Sequence, residues 1–159
     1  MNCKITSEHL ISCNVVHYNY ITDNIAIGDS MSSYNDFDII VNLYLEENGC
    51  EFNQIIFENK NKIICKVGMM DHPSLDDVML SLLCRLIPYL ITYKEKKILF
   101  HCQAGISRSA TVAIAYIMVL YNMTVKEAYD MVISKRKVKP NTGFMKALEN
   151  FYNIISIKY

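Results

Sequence analysis

Residues 96–109 read KKILFHCQAGISRS, and residues 110–121 continue without a break as ATVAIAYIMVLY. The opening part, Lys97 to His101, is short and rich in residues that favour strands. The closing part, Ser109 to Tyr121, is apolar nearly all round, as in a helix buried at the centre of a domain. Between them lies a loop around Gly105. A strand, a short loop and a helix N-terminus in succession make an anion cradle. The first helical turn leaves N–H groups unpaired and carries the positive end of the helix dipole. Consecutive loop residues can turn more N–H groups toward the same point. Gly105 permits backbone conformations that a side chain opposes.

Cys102 stands at the mouth of this cradle and Arg108 at its far end. The field there favours a thiolate over a thiol, and the thiolate is the nucleophile. Arg108 offers a planar fork that can grip two phosphate oxygens and stay on them as a phosphoryl group is transferred. His101 is placed to hold the loop and polarise the thiolate's surroundings. Ser109 can hydrogen-bond the sulfur and make it a better leaving group. The amides of Gln103, Ala104, Gly105, Ile106, Ser107 and Arg108 are the candidate phosphate-binding groups. A lone cysteine reads as an inert buried residue, which is the expectation for Cys65 and Cys84. His-Cys, five residues, then Arg-Ser, set between a strand and a helix, is a far more specific pattern.

Working outward, short β-branched and aromatic runs predict strands at Tyr18 to Ile21, Ile25 to Ile27, Asp38 to Leu43, Gln54 to Phe57 and Ile63 to Val67. Asp23-Asn24 predicts a turn joining the first two as a hairpin. The runs IIV, IIC and ILF do not alternate, as in strands buried on both faces. Leu75 to Tyr93 predicts a helix, with Ser74 and Asp77 near a capping-box spacing and Pro88 expected to kink or split it. Thr124 and Glu127 form a second capping box opening a helix to about Arg136. Lys139-Pro140-Asn141 breaks the pattern before a last amphipathic helix from about Gly143 to Ile155. The fold class is therefore α/β: a single domain with a central, mostly parallel mixed sheet flanked by helices. Residues 1–17 are weakly patterned and read as an N-terminal arm; residues 18–159 are the domain.

The 159 residues suit one domain able to bury roughly two-thirds of its unfolded surface. Sixteen basic and sixteen acidic side chains balance, so composition gives no support for a nucleic-acid partner or a polybasic membrane patch. The longest apolar stretch is about half of what a bilayer needs. The six cysteines form no CxxC pair and no zinc-ligand spacing with histidine. No signal peptide or lipidation box is expected, and the free thiols suit a reducing, cytoplasmic setting. Heavy use of Asn, Ile, Lys and Tyr resembles the output of an AT-rich genome.

The loop HCQAGISRSAT resembles the HCxxGxxR[ST] active-site loop of the protein tyrosine phosphatases. Its AG-x-SRS-x-T form is similar to the dual-specificity branch, including MAP-kinase phosphatases and small poxviral phosphatases. The resemblance extends to ITDNIAIGD (21–29), to Asp38 to Leu43, to AIAYIM (113–118) and to PNTGF (140–144). It implies a protein tyrosine phosphatase-like fold and hydrolysis of phosphotyrosine, phosphoserine and phosphothreonine through a cysteinyl-phosphate, with no cofactor or metal. It also implies that Asn141 buttresses the loop, although the residue could equally cap a helix.

Expelling a side-chain oxygen needs a general acid. Asp71, before His72-Pro73 in a loop, stands 31 positions ahead of Cys102, where the resemblance places that acid. Asp76 fits a second acidic position but reads as a residue that caps or orients the helix. Gly68-Met69-Met70 departs from relatives that carry an acidic residue beside the donor. Phosphoinositide-directed relatives tend to place lysine in this loop, so by the resemblance the uncharged Gln103, Ala104, Ile106 and Ser107 argue against a lipid substrate. The expected partner is a phosphoprotein substrate, with no membrane and no nucleic acid; a homodimer through the arm stays open. Two alternatives are kept: a capture module for phosphoproteins with little turnover, and an RNA 5′-phosphatase. Oxidation of Cys102 would be an overlay on catalysis.

Overall fold

A computed structural model of the chain describes residues 16–44, 54–59 and 61–158. The expected arm as far as residue 15, with Cys3 and Cys13, lies outside these residues, as does Cys50. Six strands form one sheet: β1 (Tyr18–Tyr20), β2 (Ile25–Gly28), β3 (Ile39–Asn42), β4 (Gln54–Asn59), β5 (Lys62–Val67) and β6 (Ile98–His101). Their order is β1-β2-β6-β3-β5-β4. The four inner strands run parallel, and β1 and β4 close the two edges antiparallel. The β1–β2 turn is set by Thr22, whose hydroxyl oxygen accepts from the Asn24 and Ile25 amides at 3.2 and 3.1 Å.

Residues of period two divide between the faces of the sheet. Ile25, Ile27, Ile39, Val41, Ile98 and Phe100 enter the main core. Ala26, Ile40 and Leu99 point the other way, onto Phe37, with Tyr18 and Tyr34 beside them. Each fully buried isoleucine or phenylalanine contributes roughly 2 kcal/mol. Burial on both faces therefore explains the unbroken apolar runs at β3 and β6.

Four helices complete the described chain: α1 (Asp76–Ile91), α2 (Arg108–Tyr121), α3 (Val125–Ile133) and α4 (Thr142–Lys158). Every residue of α2 from Arg108 to Met118 is buried. It lies against β6 and β2 and packs on α1, α3 and α4. Among the described residues no single helix is long and apolar enough to cross a membrane. At α3 both halves of the expected capping box are formed, with Thr124 accepting from the Glu127 amide and Glu127 from the Thr124 amide.

Four expectations are corrected. Ser74 and Asp77 form no capping box; a short 3₁₀ turn, Pro73–Leu75, precedes α1, and His72 caps it by accepting the Ser74 N–H at 3.0 Å. Pro73 sets that turn because its φ is fixed and it has no N–H to satisfy. Pro88 does not split α1, which runs unbroken through it. Pro88 and Cys84 both face solvent, so water can take the Cys84 carbonyl that the missing N–H leaves free. The expectation of burial is met by Cys65 but corrected for Cys84, which is exposed because it lies on the solvent face of α1. Helix α3 also stops at Ile133, short of Arg136. Asp76 is the helix-orienting residue expected, at the first position of α1 and 3.5 Å from Lys146 Nζ.

Candidate active site

Strand β6 lies between β2 and β3, all parallel, so their carboxyl ends open together at one edge of the sheet. That is where ligands bind in open parallel sheets. The loop 102–107 leaves β6 here and passes directly into α2. Five of its carbonyls, from Gln103 to Ser107, are taken by groups outside the cradle. Gln103 O accepts from the Ser30 amide at 3.1 Å and Ile106 O from the Lys139 amide at 2.8 Å. Ala104 O and Gly105 O accept from Arg136, at 3.2 Å from Nη2 and 2.9 Å from Nε. Ser107 O accepts from the Thr111 amide and hydroxyl at 2.9 and 2.7 Å. With five successive carbonyls tied away, the N–H groups after Cys102 can face inward, while that of Cys102 itself donates to Gly28 O at 3.4 Å. Gly105 has φ +67°, a conformation that side chains rarely adopt. A Cβ there would also stand 2.5 Å from Gly28 O.

The order of residues suggests that Cys102 lies at the mouth of the cradle. In space it lies at the floor, 2% exposed, because the loop wraps back over it. The Gly105 N–H donates to its Sγ at 3.3 Å, and Ser109 Oγ lies 3.2 Å from the same atom. Arg108 is 8% exposed. Its Nη1 donates to Met69 O at 2.8 Å, while its Nε is buried with no partner among the described residues. A buried guanidinium N–H without an acceptor is costly. A phosphate oxygen is the acceptor that this position fits.

Asp71 is brought to the same edge. Its Oδ1 accepts from the Ser107 hydroxyl at 2.7 Å and from Asn141 Nδ2 at 2.8 Å. Asn141 also donates its amide to Ser107 Oγ at 3.0 Å and accepts from the Phe144 amide at 2.8 Å. These contacts tie Ser107 and Asp71 to the first turn of α4. Gly143 begins α4 so close to Pro73 that a Cβ would collide with the Pro73 carbonyl.

His101 is buried, and its Nε2 lies 2.6 Å from the Tyr34 hydroxyl. Burial pushes its pKa down to about 4, against opposing pulls from a hydrogen bond to the Cys102 backbone and from Asp29. Burial also lowers the pKa of Arg136, with Asp29 and Cys102 pulling it back up. Tyr34, Arg136, the Met69 carbonyl and the Ser107 hydroxyl are contributions that the sequence does not announce. Arg136 sits among Lys135, Lys137 and Lys139, and no periodicity marks which of the four turns inward.

A family model described as the catalytic domain of dual specificity phosphatases matches residues 19–154. The chain belongs to the dual specificity phosphatase family. It is 36% identical over 80 residues to human dual specificity protein phosphatase 13B, spanning 50% of this chain and 40% of that protein. It is 48% identical over 66 residues, 40% of each chain, to a protein of Amsacta moorei entomopoxvirus named as a tyrosine-protein phosphatase. The chain thus spans about two fifths of the length of these curated relatives. The crystal structure of human DUSP28 superposes with a TM-score of 0.71 at 20% identity, covering 89% of this chain and 97% of that one. This likeness carries the dual specificity phosphatase fold across nearly the whole chain.

Proposed function

We propose that this domain hydrolyses phosphotyrosine, phosphoserine and phosphothreonine in proteins through a cysteinyl-phosphate. The observation that carries the reading is the Cys102 sulfur, held between the Gly105 N–H and Ser109 Oγ in a loop whose carbonyls from Gln103 to Ser107 are bonded to groups outside the cradle. In the first step the Cys102 thiolate attacks phosphorus as the phosphorus–oxygen bond breaks. Asp71 gives its proton to the departing side-chain oxygen. In the second step water attacks phosphorus, Asp71 takes its proton, and the phosphorus–sulfur bond breaks. Ser109 donates to the departing thiolate, and inorganic phosphate leaves. The amides of Gln103 to Arg108 and the Arg108 fork hold the phosphoryl oxygens throughout.

The test is hydrolysis of an aryl phosphate and of phosphotyrosine and phosphothreonine peptides, with fresh reductant and EDTA. Wild type should turn over all three, Cys102→Ser none, and Asp71→Asn far more slowly. A folded, reduced wild type inert toward all three would overturn the protein-phosphatase reading.

A further inference from the structure

We infer that Arg136 is a positioning residue that holds the phosphate-binding loop open to oxyanions by capping its outward carbonyls. One guanidinium donates to Gly105 O at 2.9 Å and to Ala104 O at 3.2 Å. Its third arm donates to Asn19 Oδ1 on β1 at 2.8 Å. The carbonyls of Gln103 and Ile106 are held by backbone amides, and that of Ser107 by the loop's own helix. Arg136 is therefore the one side chain from outside the loop and its helix seen, among the described residues, to hold two of the five.

The two carbonyls it holds flank the conformationally permissive residue. Gly105 can rotate where its neighbours cannot, and its N–H is the group that reaches the Cys102 sulfur. Were Ala104 O released, rotation of the peptide between Ala104 and Gly105 would turn a carbonyl toward the sulfur and the N–H away. A partial negative charge would then face a thiolate and a phosphate dianion. The guanidinium opposes this with charged hydrogen bonds, which are the stronger kind. It is anchored for the task by Asn19 and by the Arg136 amide, which donates to Val132 O at 2.9 Å. Arginine suits the position because a single planar fork reaches two adjacent carbonyls and a third partner. A lysine ammonium also has three donors, as Lys62 shows by reaching the Tyr34, Asn35 and Phe37 carbonyls, but they radiate from one atom and lack the planar spread of the fork.

The inference rests on the phosphatase reading for its kinetic consequence, but not for its binding consequence. The experiment uses the full chain as wild type, Arg136→Ala, Arg136→Lys and Asn19→Ala. Inorganic phosphate affinity is measured by calorimetry, kcat and KM on an aryl phosphate, and Tm by thermal unfolding. Arg136→Ala should weaken phosphate binding and lower kcat/KM by roughly 10- to 100-fold, as for loss of charged hydrogen bonds. Arg136→Lys should recover only part of this, and Asn19→Ala should show a smaller loss in the same direction. A few millimolar guanidinium should restore part of the Arg136→Ala loss. Unchanged phosphate affinity in folded Arg136→Ala, or in Arg136→Lys should the alanine variant not fold, overturns the inference. So does a loss that tracks Tm alone and is not rescued. A wild type that binds phosphate but turns nothing over would sink the phosphatase reading and leave the binding comparison decisive for Arg136.

Discussion

The hydroxyl of Ser107 donates to Oδ1 of Asp71 at 2.7 Å, so a residue of the anion loop holds the side chain proposed as proton donor. Arg108, its neighbour in sequence, holds the Met69 carbonyl two residues before that donor. The proposed binding and proton-transfer groups are thus joined by adjacent residues where the loop enters α2.

Ser107→Ala removes one of two hydrogen bonds on Asp71 directly, and also the acceptor of the Asn141 amide, leaving Asn141 Nδ2 on Asp71 and the Phe144 amide on Asn141. Turnover of a phosphothreonine peptide, whose leaving oxygen needs a proton, should fall roughly tenfold. An aryl phosphate with an acidic leaving group should lose much less. Paired rates on the two substrates check this, and equal losses would assign Ser107 to the loop alone.

The neutral His101 predicts a pH dependence of stability. Its folded-state pKa, held by burial at about 4, lies below the usual 6.5. The unfolded chain takes up a proton between those values that the folded chain refuses. The contribution is fully present above pH 6.5 and is lost as pH falls toward 4, about 3 kcal/mol in all. Urea unfolding at pH 7.5 and 4.5 should show a steeper loss for wild type than for His101→Gln. Parallel slopes would contradict it.

Gly143→Ala should press a methyl group into the Pro73 carbonyl. Overpacking of this kind costs roughly 1–3 kcal/mol. The strain falls on the loop that carries Asp71, so phosphothreonine turnover should drop more than phosphate affinity. Thermal unfolding together with both measurements separates the two effects.

Thiol labelling should separate three cysteines of the native protein. Burial pushes the Cys65 pKa up to about 11, and the side chain should resist iodoacetamide at pH 7.5. Exposed Cys84 should label regardless of ligand. Cys102 should label and be protected by inorganic phosphate. Peptide mass spectrometry reads all three, and labelling of Cys102 that ignores phosphate would separate it from the anion site.

What could be read from the chain alone follows local rules. The strands at IIV and ILF, the Thr124–Glu127 cap and the strand–loop–helix around Cys102 each depend on neighbours in sequence. So does the break at Lys139-Pro140-Asn141, which leads into α4. The residues that hold the site from afar do not. Tyr34 reaches His101 across 67 positions and Asn19 reaches Arg136 across 117; no pattern of period or spacing encodes such pairs. Pro88 misleads for a related reason, since its cost depends on whether its face is wet, which only packing decides.

The five loop carbonyls are secured by Ser30 after β2, by Arg136 and Lys139 between α3 and α4, and by Thr111 inside α2. The proposed grip on an oxyanion is therefore assembled from both halves of the chain. No fragment cut between Ser30 and Lys139 retains every clamp, and swapping the loop alone into another scaffold would not carry its affinity along. Phosphate affinity becomes a gauge of whether the whole domain is intact.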